Sequence, residues 1–274
     1  MQAKALLLSL NIWSSERMQS KGKHWSRDEL IVAFNLYCRT PFGRIHKSNP
    51  DIIELAKNIG RTPSAAAMKM VNFASLDPVQ QERNVKGLQH IGKLDKQIWE
   101  EFHKNWENLA FESQQSLTRL NRKTDEDYAL DVLFLEPDIP TEVRKITRVR
   151  LVQRFFRDTV LSSYNYSCTV CKINLSKMLN ASHIIPWSID KNRRADPTNG
   201  LSLCAFHDRA FDRGLMTIDK EFRVILSQEV KVLDAPILHR VGLLDVEDQA
   251  ITMPDRFRPD QVALAYHREK VFLP

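Results

Sequence analysis

Apolar positions recur at helical spacing through most of the first half of the chain. Ser26-Arg-Asp-Glu is a serine cap with glutamate at N3, and Leu30, Ile31, Phe34, Leu36 and Tyr37 follow as a helical stripe. Residues 51–59 read as a second, short helix ended by Gly60. Thr62-Pro63 opens a third, with threonine at the cap and proline at N1, running through Ala65, Met68 and Val71 to about Phe73. Helix, glycine-containing turn, helix is the geometry of a helix-turn-helix, and Arg61, Ser64, Lys69 and Asn72 are expected on or near the exposed side of the third helix. Two readings stand: a module that touches DNA through residues such as Arg61 and Lys69, or a plain three-helix bundle that packs against its neighbours.

Residues 95–120 form one long helical candidate carrying Ile98, Phe102, Trp106, Leu109 and Leu117, and 121–140 read as an acidic, proline-containing linker. Residues 141–163 return to helical period, with Val149, Val152, Phe156 and Val160 on one stripe and Arg150, Arg154 and Arg157 on another. With Arg144, Lys145 and Arg148 these form a basic run that either solvates or follows a phosphate backbone. The pattern then shortens. Leu179 to Ile185 reads as a strand stopped by Pro186, Leu201-Ser-Leu-Cys as a second, and residues 215–219 and 222–226 as two more. A last helix is expected around residues 260–268. The class is α+β, divided into an extension (1–23), a helical helix-turn-helix-like module (24–94), a helix with linker (95–140) and a second domain (141–274, core 164–225).

The 274 residues suffice for hydrophobic cores in both parts, and 43% hydrophobic with 27% charged residues is ordinary for a soluble globular protein. No apolar run approaches the roughly 20 residues of a membrane span, so no membrane partner is expected. Ala5-Leu-Leu-Leu-Ser-Leu is too short to span and lacks a signal cleavage site after it, and residues 1–17, ahead of Met18, read as an extension of little structural weight. The net charge of +6 permits an anionic partner without demanding one. Of four cysteines, Cys38 reads as a small buried hydrophobe. So few point to a reducing, cytoplasmic compartment.

The other three cysteines change the picture. Cys168-Thr-Val-Cys171 and Cys204-Ala-Phe-His207 are two C-x-x-[CH] pairs that can close a tetrahedral Cys3His zinc site, unless Cys168 and Cys171 are simply buried thiols. Such a zinc ion would be structural, since no position stays open for water. Between the pairs lie His183 on the first short strand and the turn pair Asn199-Gly200; Asp208 and Asp212 follow, four apart on one helix face, with Gly214 ending that helix.

Tyr164-Asn-Tyr-Ser-Cys-Thr-Val-Cys, Ala181-Ser-His-Ile-Ile-Pro-Trp, Asn199-Gly-Leu-Ser-Leu-Cys and His207-Asp-Arg-Ala-Phe-Asp-Arg-Gly together resemble the HNH endonucleases over roughly residues 148–225. The flanks Gln153-Arg-Phe-Phe-Arg and Tyr266-His-Arg-Glu-Lys-Val-Phe, and the segment beginning Gly60-Arg-Thr-Pro, are similar to those of bacterial members of restriction-endonuclease type. The resemblance implies a ββα core around one divalent ion, Mg2+ or Mn2+, acting on DNA. It makes His183 the general base and Asn199 a residue that fixes the loop through backbone hydrogen bonds. The last letter stays open: His207 completes the H-N-H string, whereas in zinc-stapled members the ligand of the catalytic ion directly follows the last zinc ligand, which would be Asp208. Asp212 is either a further ligand or a brace for the helix. Many members carry Asp or His before the base; here Ser182, a weaker ligand, stands there. Arg209, Arg213 and Lys177 are either phosphate contacts or surface charge.

The expected function is therefore a metal-dependent DNA endonuclease of restriction or defence type, stapled by Zn2+. One alternative is a decayed, zinc-bearing DNA-binding regulator. Another keeps the nuclease and makes the N-terminal module a sensor or partner-docking domain. Each core of this kind cuts one strand, so a double-strand cut suggests a homodimer.

Overall fold

A computed structural model describes residues 24–87, 91–120, 141–232 and 234–274. The expected N-terminal extension and the acidic linker lie outside the described residues. The first part is all helix: α1 (Arg27–Arg39), α2 (Pro50–Asn58), α3 (Pro63–Ala74), α4 (Pro78–Glu82), α5 (Lys93–Lys104) and α6 (Trp106–Leu120). Local chemistry starts and stops these helices as expected. Ser26 and Glu29 form both arms of a capping box, Thr62 accepts from the Ala65 amide with Pro63 behind it, and Gly60 takes φ +63° after α2.

The single helix expected over 95–120 is instead α5 and α6, broken at Asn105. The Asn105 side chain accepts the amide of Asn108 at 3.0 Å, a local bond that competes with helix continuation and caps α6. A second expectation is also corrected. Arg61 and Lys69 do not lie on an exposed face of α3. Arg61 pairs with Glu29 at 2.9 Å and Lys69 with Asp95 at 2.8 Å, both cations largely buried, and Asn72 is buried as well. Each cation also stands over the Trp25 ring, at 4.8 and 5.0 Å, so the pairing is enclosed by an aromatic wall.

Helix α7 (Thr141–Ser163) joins two apolar clusters. Its Val152 and Phe155 enter the core of the helical part with Phe34, Phe73, Phe102 and Trp106. Its Phe156, Val160 and Leu161 enter the second core, under a small sheet. That sheet pairs β1 (Leu179–His183) antiparallel with β2 (Gly200–Cys204), Leu179 opposite Cys204 and His183 opposite Gly200. Helix α8 (Ala205–Asp212) leaves β2 without a loop. A hairpin of β3 (Met216–Ile218) and β4 (Val224–Leu226) and, after the surface helix α9 (Ile237–Gly242), α10 (Gln261–Lys270) close the second core. No helix among the described residues is long and apolar enough to cross a membrane.

Candidate active site

Strand β1 alternates its side chains, so Asn180 and Ser182 share one face. Both reach α8: Asn180 Nδ2 donates to Asp208 Oδ2 at 2.7 Å, and Ser182 Oγ donates to Asp208 Oδ1. Asp208 thus stands in the first turn of α8 with its carboxylate held against the strand. One turn on, burial first and the Asp208 charge second push the Asp212 carboxyl above the ordinary carboxylate range.

His183 ends the same strand. Its Nε2 lies 3.0 Å from the Arg194 carbonyl oxygen. A carbonyl can only accept, so Nε2 carries the ring proton and Nδ1 keeps a lone pair. Phe156 lies flat on the imidazole with centroids 3.7 Å apart and planes 13° apart, and Trp187 meets it edge-on at 5.6 Å. Burial holds the His183 pKa below its ordinary value, which keeps the ring neutral.

Asn199 is buried and faces backbone only. Its Oδ1 accepts from the Ile185 amide at 2.8 Å, and its Nδ2 donates to the carbonyls of Ile185 at 3.1 Å and Arg193 at 3.3 Å. The amide thereby pins both ends of the loop between β1 and β2, the loop that supplies the Arg194 carbonyl to His183.

These groups meet in one open cleft of about 670 Å³. Its walls carry Asn180, Ser182 and His183 from β1, Asp208, Arg209 and Asp212 from α8 with Arg213 just after it, Gln153, Phe156 and Arg157 from α7, and Trp187 from the loop. Of the expected basic residues, Arg157, Arg209 and Arg213 line the cleft, whereas Arg150, Arg154 and Lys177 do not. Arg154 is exposed and its guanidinium lies 3.8 Å from Asp158. Asn180, Phe156 and Trp187 belong to the site although sequence reasoning assigned them no part in it. The period-2 spacing of Asn180 from Ser182 was the signal for the first; Phe156 and Trp187 stand inside segments that carry the family resemblance, which gave them no role of their own.

The four expected zinc ligands gather at the start of α8, and none of them lines the cleft. Their ligand atoms all lie within 4.8 Å of one another. Cys171 Sγ is 3.8 Å from Cys204 Sγ, and His207 Nδ1 is 3.2 Å from Cys204 Sγ and 3.6 Å from Cys168 Sγ. A tetrahedral ion with Zn–S bonds of about 2.3 Å has sulfur edges of about 3.8 Å, so the cluster can hold a metal such as zinc. Hydrogen bonds from the Cys168 thiol and from the His207 backbone amide favour the thiolate at Cys204. His207 Nε2 donates to the Gly242 carbonyl at 2.7 Å, which orients Nδ1 toward the sulfurs. His207 therefore sides with the cysteines, while Asp208, the next residue, faces the cleft.

Two short antiparallel strands and a helix, with His183 and Asp208 lining one cleft and a Cys3His cluster nearby, make up a small α+β domain. Residues 168–219 match the family model described as HNH endonuclease, and this segment is an HNH domain. No curated protein matches the chain.

Proposed function

We propose that the protein is a metal-dependent endonuclease that hydrolyses DNA phosphodiester bonds, with His183 as general base. The observation that carries this reading is that His183, tethered at Nε2 to the Arg194 carbonyl, which leaves Nδ1 unprotonated, lines one cleft with Asp208. A neutral imidazole suits proton abstraction from water near pH 7. Asp208, with Ser182 and Asp212, offers hard oxygen ligands suited to Mg2+ or Mn2+. When bound there, such an ion stabilises the leaving oxygen and the added phosphorane charge. Arg157, Arg209 and Arg213 make no ion pair among the described residues and would meet the phosphate backbone. Zinc at Cys168, Cys171, Cys204 and His207 staples the core without touching the reaction, and Asn199 holds the loop.

The test incubates plasmid with the protein and Mg2+ or Mn2+, with EDTA as control. His183→Ala should lower the cleavage rate by at least 100-fold, the low end of the range for loss of a general base. DNA affinity and the unfolding midpoint should not change. A variant that still cuts at the parent rate refutes the role.

The helical part fits a scaffold or partner-docking role better than a DNA reader, because Arg61 and Lys69 are spent on Glu29 and Asp95. A restriction or defence role, a cytoplasmic setting and a homodimer for double-strand cutting accord with the resemblance of the flanks and the cysteine usage. Cleavage of methylated against unmethylated genomic DNA tests the first.

A further inference from the structure

Residue 200 is glycine for lack of room rather than for backbone freedom. Its φ of −132° is ordinary extended geometry that any residue adopts. A Cβ built there would overlap Val160 Cγ2 and come within 2.9 Å of Phe156 Cζ. Gly200 is also the residue directly opposite His183 in the strand register. The missing Cβ therefore lets α7 press onto the sheet at the one pair that carries the imidazole, and Phe156 fills the space flat against the ring. We infer that Phe156, seated by Gly200, is a positioning residue that fixes the plane of the His183 imidazole and so aims Nδ1 into the cleft. This rests on the reading of His183 as the base. The hydrogen bond to the Arg194 carbonyl holds one ring atom, about which the imidazole can still tilt. Trp187 touches the ring only edge-on. The face of Phe156 removes the remaining freedom. An error of about 1 Å or a modest tilt at a reacting atom costs on the order of 100-fold in rate.

Phe156→Leu keeps apolar bulk and loses the flat face; Gly200→Ala keeps the phenyl ring and displaces it. Phe155→Leu is the control. It deletes the same ring one residue away, where it packs beside Trp106 in the other core, and leaves His183 untouched. Steady-state cleavage of a duplex with Mg2+ and the NMR signals of the His183 ring are read for all three. Phe156→Leu and Gly200→Ala should lower kcat by about 10- to 100-fold with KM within about twofold, and should abolish the upfield ring-current shift of the His183 protons. Phe155→Leu should lower the unfolding midpoint and leave kcat and the shift in place. Parent kcat in Phe156→Leu, or an equal kcat loss in Phe155→Leu, overturns the inference. Cutting by His183→Ala would instead remove the base reading, and the ring-current shift would still report whether Phe156 orients the imidazole.

Discussion

His183, His103 and His267 are kept neutral by one cause, burial, and put to different uses. His183 keeps a free nitrogen on a cleft. His103 hydrogen-bonds the Trp99 carbonyl at 2.7 Å inside the helical core, and His267 spends both nitrogens, on Thr217 at 2.8 Å and the Phe211 carbonyl at 3.2 Å. Burial takes the last two from 6.5 down to about 4. The unfolded chain then binds protons that the folded one refuses. Stability should be full above pH 6.5 and should drain away as pH falls toward 4, by on the order of 3 kcal/mol per histidine. Urea unfolding at pH 7.5 and pH 5 measures this. A midpoint that does not fall on acidification contradicts it, and His267→Gln should flatten the dependence in the second core.

At the scale of elements, α8 is a two-sided bracket. His207 and Asp208 are neighbours about 100° apart on a helix, and that angle sends the first into the cysteine cluster and the second into the cleft. The Cys204 end of β2 and the first turn of α8 are thereby tied to the turn carrying Cys168 and Cys171. Metal held by four such ligands contributes directly to folding free energy. Cys168→Ser, or treatment with a strong chelator, should lower the unfolding midpoint and solubility together with activity. Elemental analysis should give one zinc per chain in the parent and none in the variant. Purified parent free of zinc would refute the staple.

The whole molecule is stitched by a buried arginine. Arg256, 0% exposed, comes from the segment before α10 and enters the helical part. It donates to the carbonyls of Tyr37 and of Cys38, the latter at 3.3 Å, and to Ser162 Oγ at 3.2 Å, with its guanidinium 4.9 Å over the Tyr37 ring. On either side, Gln80 donates to the Asp255 carbonyl at 2.7 Å and Arg258 pairs with Glu82 at 2.6 Å. These contacts and α7 couple the two cores. Arg256→Ala leaves a cavity and removes three buried hydrogen bonds, those to the Tyr37 and Cys38 carbonyls and to Ser162 Oγ, and should cost on the order of 3 kcal/mol. Chemical denaturation should show a lowered midpoint and a broadened or split transition. An unchanged single transition would mean that the two cores are joined by other contacts.

Much of this molecule was legible from short stretches of chain. Ser26 with Glu29, Thr62 with Pro63, and Gly60 set helix ends through bonds spanning three or four residues; the C-x-x-[CH] pairs stood out by donor type and spacing, and His183 and Asp208 through the resemblance to HNH endonucleases. Asn105 shows the limit of periodicity: its apolar neighbours keep a helical stripe while its own side chain breaks the backbone. Local order decides which residues can form a helix, a strand or a metal cluster, because the interactions concerned are near in sequence. How α7 crosses the sheet is a matter of packing volume between distant segments. That crossing decided that Phe156 lies on His183 and that Arg157 faces the cleft while Arg154 does not; other packing of segments far apart in sequence gave Arg61 and Lys69 to carboxylates and brought Arg256 to the helical core.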